Sequence, residues 1–181
     1  CLHSGTSVVI GTTGFDLEKL RKCAHDHWDG GDGGRAFVAP NFAIGAVLMM
    51  QAAQMIAPHM PEVEIVELHH ERKADAPSGT AAETARRIAA ARLQAPRTPR
   101  RDDEPRDRGG LHDDVPVHSV RLPGLYAHQE VLLGAPGETL TLRHDMSGPA
   151  AFGPGILAAM RYAATAVGVA RGLEHALSPT P

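Results

Sequence analysis

Over residues 62–93 the hydrophobic period changes once, from two residues to about 3.6, and this change commits the chain to a fold that joins strands to helices. Residues 62 to 69 alternate, with Val63, Ile65 and Glu67 on one side and Glu64, Val66 and Leu68 on the other. Pro77, Ser78, Gly79 and Thr80 then open an alanine-rich helix running to about Leu93. Thr80 and Glu83 have the spacing of a capping box.

The same alternation of elements recurs upstream. Residues 7–10 read as a short buried strand that ends in the turn Gly11, Thr12, Thr13, Gly14, with Asp16 placed to cap a polar helix. The glycine-rich run 29–34 reads as a mobile loop, and residues 35–39 as a second buried strand closed by Pro40 and Asn41. A packed helix follows from Phe42 and is stopped by Pro58. Downstream, 94–110 has the composition of an exposed loop, and 115–122, 126–133 and 139–144 alternate like an antiparallel meander extending the sheet begun at Glu62. Residues 153–169 return to helical spacing and 178–181 read as a frayed tail.

Composition removes several function classes. The 21 acidic and 18 basic side chains leave a net charge of -3, which offers no electrostatic footprint for nucleic acid or an anionic membrane. The arginines between Arg97 and Arg108 are interleaved with Asp102, Asp103, Glu104 and Asp107 and lack aromatics for stacking, so they read as a solvated loop. No stretch reaches the ~18 apolar residues of a membrane span. Cys1 and Cys23 show neither metal-ligand spacing nor a disulfide framework, as suits a cytoplasmic protein, and are read as structural. His118, His128 and His144 fall on expected strands and read as packing or surface histidines.

Chemistry is concentrated in residues 67–80. His69 and His70 titrate near neutral pH, Lys73 is one of only three lysines beside fifteen arginines, and a helix N-terminus with Ser78, Gly79 and Thr80 follows at once. A helix N-terminus offers unpaired N–H groups and partial positive charge, and Gly79 lets a ligand approach that backbone, so the string forms a candidate anion site able to deliver a proton. Strict alternation would send His69 and His70 to opposite faces, so both can reach one ligand only if the strand breaks near His70. A strand end followed by an ordinary capped helix is the plain alternative. Zinc is disfavoured and no metal is expected, since adjacent histidines lack the i, i+4 spacing of a helical metal pair.

The string His69, His70, Glu71, Arg72, Lys73, Ala74, Asp75, Ala76, Pro77, Ser78, Gly79, Thr80 resembles the signature of dihydrodipicolinate reductases, also called 4-hydroxy-tetrahydrodipicolinate reductases. The segments Gly11 to Gly14 and Ala39 to Phe42 match two further family segments in order, and the strands through Arg121 and His144 are also similar, so essentially the whole chain is covered. The resemblance implies an α/β protein with a partial Rossmann-like nucleotide-binding domain and an α+β substrate and oligomerisation domain with a mainly antiparallel open sheet. It places the remainder of the cofactor domain in 1–41, the substrate and tetramerisation domain in 42–149, and a helix returning to the cofactor domain in 150–181.

By the same resemblance the chain takes part in lysine and diaminopimelate biosynthesis, reducing a small cyclic dicarboxylate with NADPH or NADH as a homotetramer. His69 is the implied proton donor and Lys73 a second one. His70, Lys73, Ser78, Gly79 and Thr80 would hold the substrate carboxylates, and Gly11, Thr12, Thr13, Ala39, Pro40, Asn41 and Phe42 would line the cofactor. The family begins with a strand and a Gly-rich phosphate loop, whereas no G-x-G-x-x-G occurs here, so the sequence is expected to be truncated at its N-terminal side. The rival expectation is an inactive, oligomerising remnant that only captures a dicarboxylate. The residue that would discriminate NADH from NADPH lies in the part without a counterpart.

Overall fold

A computed structural model describes residues 1–26, 35–92, 95 and 108–177. The loops expected at 29–34 and across most of 94–110, and the tail at 178–181, lie outside the described residues. The chain divides into two compact units, one from Cys1–Val47 with Pro149–Pro181, the other from Leu48–Gly148. Among the described residues no helix is long and apolar enough to cross a membrane.

In the first unit, β1 (Val8–Ile10), β2 (Ala36–Val38) and β8 (Val169–Arg171) form a parallel sheet in the order β1-β2-β8. Helix α1 (Leu17–Asp26) starts where Asp16 Oδ1 accepts the Lys19 amide at 3.0 Å, the cap expected from the sequence. Helix α4 (Gly153–Thr165) covers the strands, and Phe37 meets Tyr162 with ring centroids 5.1 Å apart. The helical reading of 153–169 overshoots: α4 ends at Thr165, Gly168 turns at φ 72, and Val169 enters β8. Three strand residues after a helix are too few for any period to be visible. Helix α5 (Glu174–Leu177) closes the unit.

Helix α2 (Ile44–Ile56) leads into the second unit, whose five-stranded sheet has the order β4-β5-β3-β6-β7. These strands are β3 (Glu62–His69), β4 (Gly110–His112), β5 (Val115–Arg121), β6 (Ala127–Ala135) and β7 (Glu138–Met146). Helix α3 (Gly79–Ala91) packs Ala81, Ala85 and Ile88 against Val63, Ile65, Val117, Val131 and Leu133, with Met49 and Ala53 of α2 and Ala57 just beyond it completing the core. Full burial of Ile65 and Ile88 stabilises the fold by roughly 1.5–3 kcal/mol each.

The strand order is not that of a simple meander. β5 and β6 are not neighbours: β3 lies between them, parallel to β5 and antiparallel to β6. The turn 122–126 therefore straddles the end of β3, and the Leu122 amide donates to the His69 carbonyl at 3.1 Å. Pro123 and Gly124 look like a hairpin turn in sequence, yet the connection is long enough to step over one strand. β6 and β7 do form a hairpin, through Pro136 and Gly137, the latter at φ 86. β4 begins at Gly110, the last residue of the stretch read as loop, and runs where no strand was expected. It pairs with β5 across Asp113 and Asp114, both at positive φ, as a two-residue hairpin turn requires. The sheet remains mainly antiparallel, with β3 and β5 its one parallel pair.

Candidate active site

The site in the second unit grows from the C-terminal end of β3. Its buried face runs Val63, Ile65, Glu67, and then His69, so a carboxylate sits where the pattern elsewhere puts an aliphatic chain. Glu67 is fully buried, and a buried charge persists only when partners replace water. Arg121, aligned with His69 on the parallel neighbour β5, supplies them. Its Nη1 donates to Glu67 Oε2 at 2.9 Å and its Nη2 to Oε1 at 2.8 Å, a two-pronged pairing. The Ser78 amide donates to Oε1 at 3.3 Å, and His69 Nδ1 lies 2.5 Å from Oε2. A carboxylate only accepts, so Nδ1 carries the hydrogen and Nε2 is left for other work.

Burial works against ionisation of Glu67, but the hydrogen bonds from Arg121, Ser119 and His69 outweigh it and hold the carboxyl below its usual range. For His69, burial pushes the imidazolium down most strongly, Glu67 pulls it up, and the cations Lys73 and Arg121 push it down again; the result lies below the usual value.

The strand stops at His69, which frees His70 from the alternation as the sequence argument requires. Among the described residues His70 Nδ1 is enclosed and has no hydrogen-bond partner. The chain turns with the Lys73 amide donating to the His70 carbonyl, and Arg121 fastens that turn to the sheet through the carbonyls of Lys73 at 3.3 Å and Asp75 at 2.8 Å. Lys73 Nζ is paired with Asp75 at 2.7 and 2.8 Å, which holds the Asp75 carboxyl below its usual range. The Ala76–Pro77 peptide is cis.

Helix α3 then begins at Ser78, whose Oγ accepts the Ala81 amide at 3.1 Å. The capping-box assignment to Thr80 is thus corrected: the cap is two residues earlier. Glu83 instead pairs with Arg86 and Arg87, and these bonds, Arg86 first, lower its carboxyl to about 2. The bond from its amide to Glu67 fixes Ser78, information that a spacing rule does not contain. A side chain at Gly79 would meet nothing within 4 Å, so the backbone there stands open to a ligand. His69, Lys73 and Ser78 are joined into one network through Glu67 and Arg121. Sequence reasoning missed these two, although a glutamate on a core-facing register was a signal for the first.

The remaining expected residues lie in the first unit, at the C-terminal ends of β1 and β2, where open parallel sheets bind ligands. The Ala39 amide donates to the Ile10 carbonyl at 2.9 Å, bringing the segments Gly11 to Thr13 and Ala39 to Phe42 side by side. A Cβ on Gly11 would come within 2.7 Å of the Phe42 ring, so a larger residue there would have to displace the ring. Asn41 Oδ1 accepts the Ala43 amide at 2.8 Å and starts α2, while Thr12, Thr13 and Pro40 are exposed. These residues suit a nicotinamide cofactor: one glycine-lined strand end, an aromatic ring and exposed hydroxyls. Of the other histidines, His118 pairs with Glu64 at 2.9 Å and His128 with Asp145 at 2.7 Å. Among the described residues no three His, Cys, Asp or Glu side chains are grouped to hold a metal.

Comparison with known proteins identifies the family. The family model described as "Dihydrodipicolinate reductase, C-terminus" matches residues 45–177. A 4-hydroxy-tetrahydrodipicolinate reductase of Streptomyces coelicolor is 51% identical over 98% of this chain and 72% of its own length. One of Mycolicibacterium smegmatis is 48% identical over 97% of this chain and 72% of its own length. A solved structure, the dipicolinate-bound dihydrodipicolinate reductase from Paenisporosarcina sp. TG-14, superposes with TM-score 0.83 at 42% identity, over 97% of this chain and 66% of that one. With its parallel three-stranded sheet, its mixed five-stranded sheet and the His69 to Thr80 string at the end of β3, the chain belongs to the dihydrodipicolinate reductase family.

Proposed function

We propose that the chain carries the reducing site of a 4-hydroxy-tetrahydrodipicolinate reductase, acting in lysine and diaminopimelate biosynthesis with NADPH or NADH. The observation that carries the reading is the His69 ring, held at Nδ1 by a buried carboxylate and flanked by Lys73 and the open N-terminus of α3. His70, Lys73, Ser78, Gly79 and Thr80 hold the two carboxylates of the substrate; the unpartnered His70 Nδ1 and the open backbone at Gly79 support that assignment. Dipicolinate, named with the solved relative, is a ligand of this kind.

Gly11, Thr12, Thr13, Ala39, Pro40, Asn41 and Phe42 hold the nicotinamide cofactor, which when bound supplies a hydride to one end of a substrate double bond. His69 gives its Nε2 proton to the other end, and Lys73 assists as a second donor. Residues 1–41 and 150–181 serve the cofactor and 42–149 the substrate and a homotetramer. Leu132, 38% exposed on the face away from the buried Val131 and Leu133, supports assembly there.

Steady-state assays with NADPH and calorimetry with dipicolinate separate these roles. His69→Ala is expected to lower turnover by roughly 10²–10⁴ while leaving dipicolinate binding nearly intact. Lys73→Ala is expected to impair both. Equal turnover in the parent and His69→Ala sinks the donor role.

A further inference from the structure

We infer that Glu67 is a positioning residue for the reduction: its buried carboxylate fixes His69 as the Nδ1–H tautomer, so that Nε2 alone delivers the proton. The inference rests on the reading of His69 as the donor and adds to it the group that decides which nitrogen works.

The geometry is over-determined in a way that simple fold stability does not need. Arg121 already satisfies both oxygens of Glu67, at 2.8 and 2.9 Å, yet Oε2 accepts a further bond from His69 at 2.5 Å. A buried ion pair is a weak contributor to stability, and an aliphatic pair of similar volume would serve the core as well. Glu67 shares its face with Val63 and Ile65, positions where the same strand does use aliphatic side chains. What the carboxylate provides that an aliphatic chain lacks is direction. It can accept and cannot donate, so a neutral His69 must point N–H at it and a lone pair outward from Nε2. Arg121 prevents the carboxylate from rotating, and the Ser78 amide holds the second oxygen from the helix side.

The charge of Glu67 also stabilises the imidazolium before the proton leaves. The groups facing His69 are Glu67 on β3, Arg121 on β5, and Lys73 with Asp75 on the turn that follows. β6 presents Ala127 opposite it, and the first turn of α3 carries no acid. Glu67 is thus the carboxylate in contact, set against two cations, so removing its charge lowers the His69 titration midpoint.

Nitrogen NMR of the histidine rings of this chain, without cofactor, tests the inference directly. The parent protein is expected to show neutral His69 as the Nδ1–H tautomer. In Glu67→Gln the tautomers are expected to mix and the midpoint to fall by about one unit. An Nε2–H tautomer in the parent overturns the inference even if the variant fails to fold. So does a folded Glu67→Gln with the parent's tautomer and midpoint. In turnover, Glu67→Gln is expected to lose at least about tenfold in kcat with KM for substrate little changed. The alkaline limb of its pH profile should move to lower pH, because the acid loses its proton sooner. If instead His69→Ala keeps full turnover while the tautomer result holds, the donor reading fails and the ring geometry stands.

Discussion

Replacing Arg121 by methionine keeps most of the side-chain volume and removes the countercharge of a fully buried carboxylate. Breaking such a pair from one side costs about 3–5 kcal/mol, because the remaining charge is left without water or partner. Arg121 is 19% exposed and His69 still bonds Glu67, so the lower end, about 3 kcal/mol near neutral pH, is expected. At a urea slope of about 2 kcal/mol/M this moves the midpoint down by about 1.5 M, measurable by far-UV circular dichroism.

The pH dependence supplies the sharper test. In the parent, Glu67 and His69 both have folded values below their unfolded ones, so their contribution is present above about pH 6.5 and is lost as pH falls through those lowered values. Without Arg121, burial dominates Glu67 and the unopposed carboxylate raises His69. The folded variant then binds more protons than its unfolded chain and gains stability as pH falls. The deficit should therefore shrink between pH 7 and pH 5, and adding Glu67→Leu to Arg121→Met should recover at least about 2 kcal/mol at pH 7. A deficit under about 1 kcal/mol, or one that grows toward acid, refutes the reasoning.

Two further outcomes are expected. Ser78→Ala removes the cap of α3 and should cost about 1 kcal/mol in thermal or urea unfolding, with Thr80→Ala costing less; the reverse order would restore Thr80 as the cap. A Cβ on Gly155 would stand 1.9 Å from the Phe42 carbonyl oxygen, so Gly155→Ala should destabilise by roughly 1–3 kcal/mol or more in the same assay, whereas Gly153→Ala, with nothing within 4 Å, should not.

Which parts were legible follows from the range of the forces involved. The alternation at 62–69 names both the strand and its buried side, because side-chain direction within a strand is a local property. Asp16 could be named as a cap for the same reason. The place of β3 between β5 and β6 could not, since strand order depends on which distant apolar rows fit together, and Pro123 and Gly124 suit a tight hairpin as well as a wider step. β4 escaped because three residues carry no period, although Asp113 and Asp114, residues that tolerate positive φ, were a faint sign of its turn. In the site, the histidines, the lysine and the helix start are contiguous and stood out together. Glu67 and Arg121 meet only after β3 and β5 are paired, which no window of neighbouring residues reveals.

The central position of β3 has a kinetic consequence. Ile65 pairs with Val117 on one side and Val131 on the other, and neither neighbouring strand adjoins β3 in the chain. No hairpin can therefore nucleate the middle of this sheet, and its assembly must wait for long loops to close, which slows folding relative to a chain of local contacts. Once formed, the same arrangement makes β3 costly to peel away. The amides of Ile65 to Glu67 should exchange with solvent only when the whole unit opens, so the strand bearing the reactive histidine belongs to the slowest-exchanging part of the molecule.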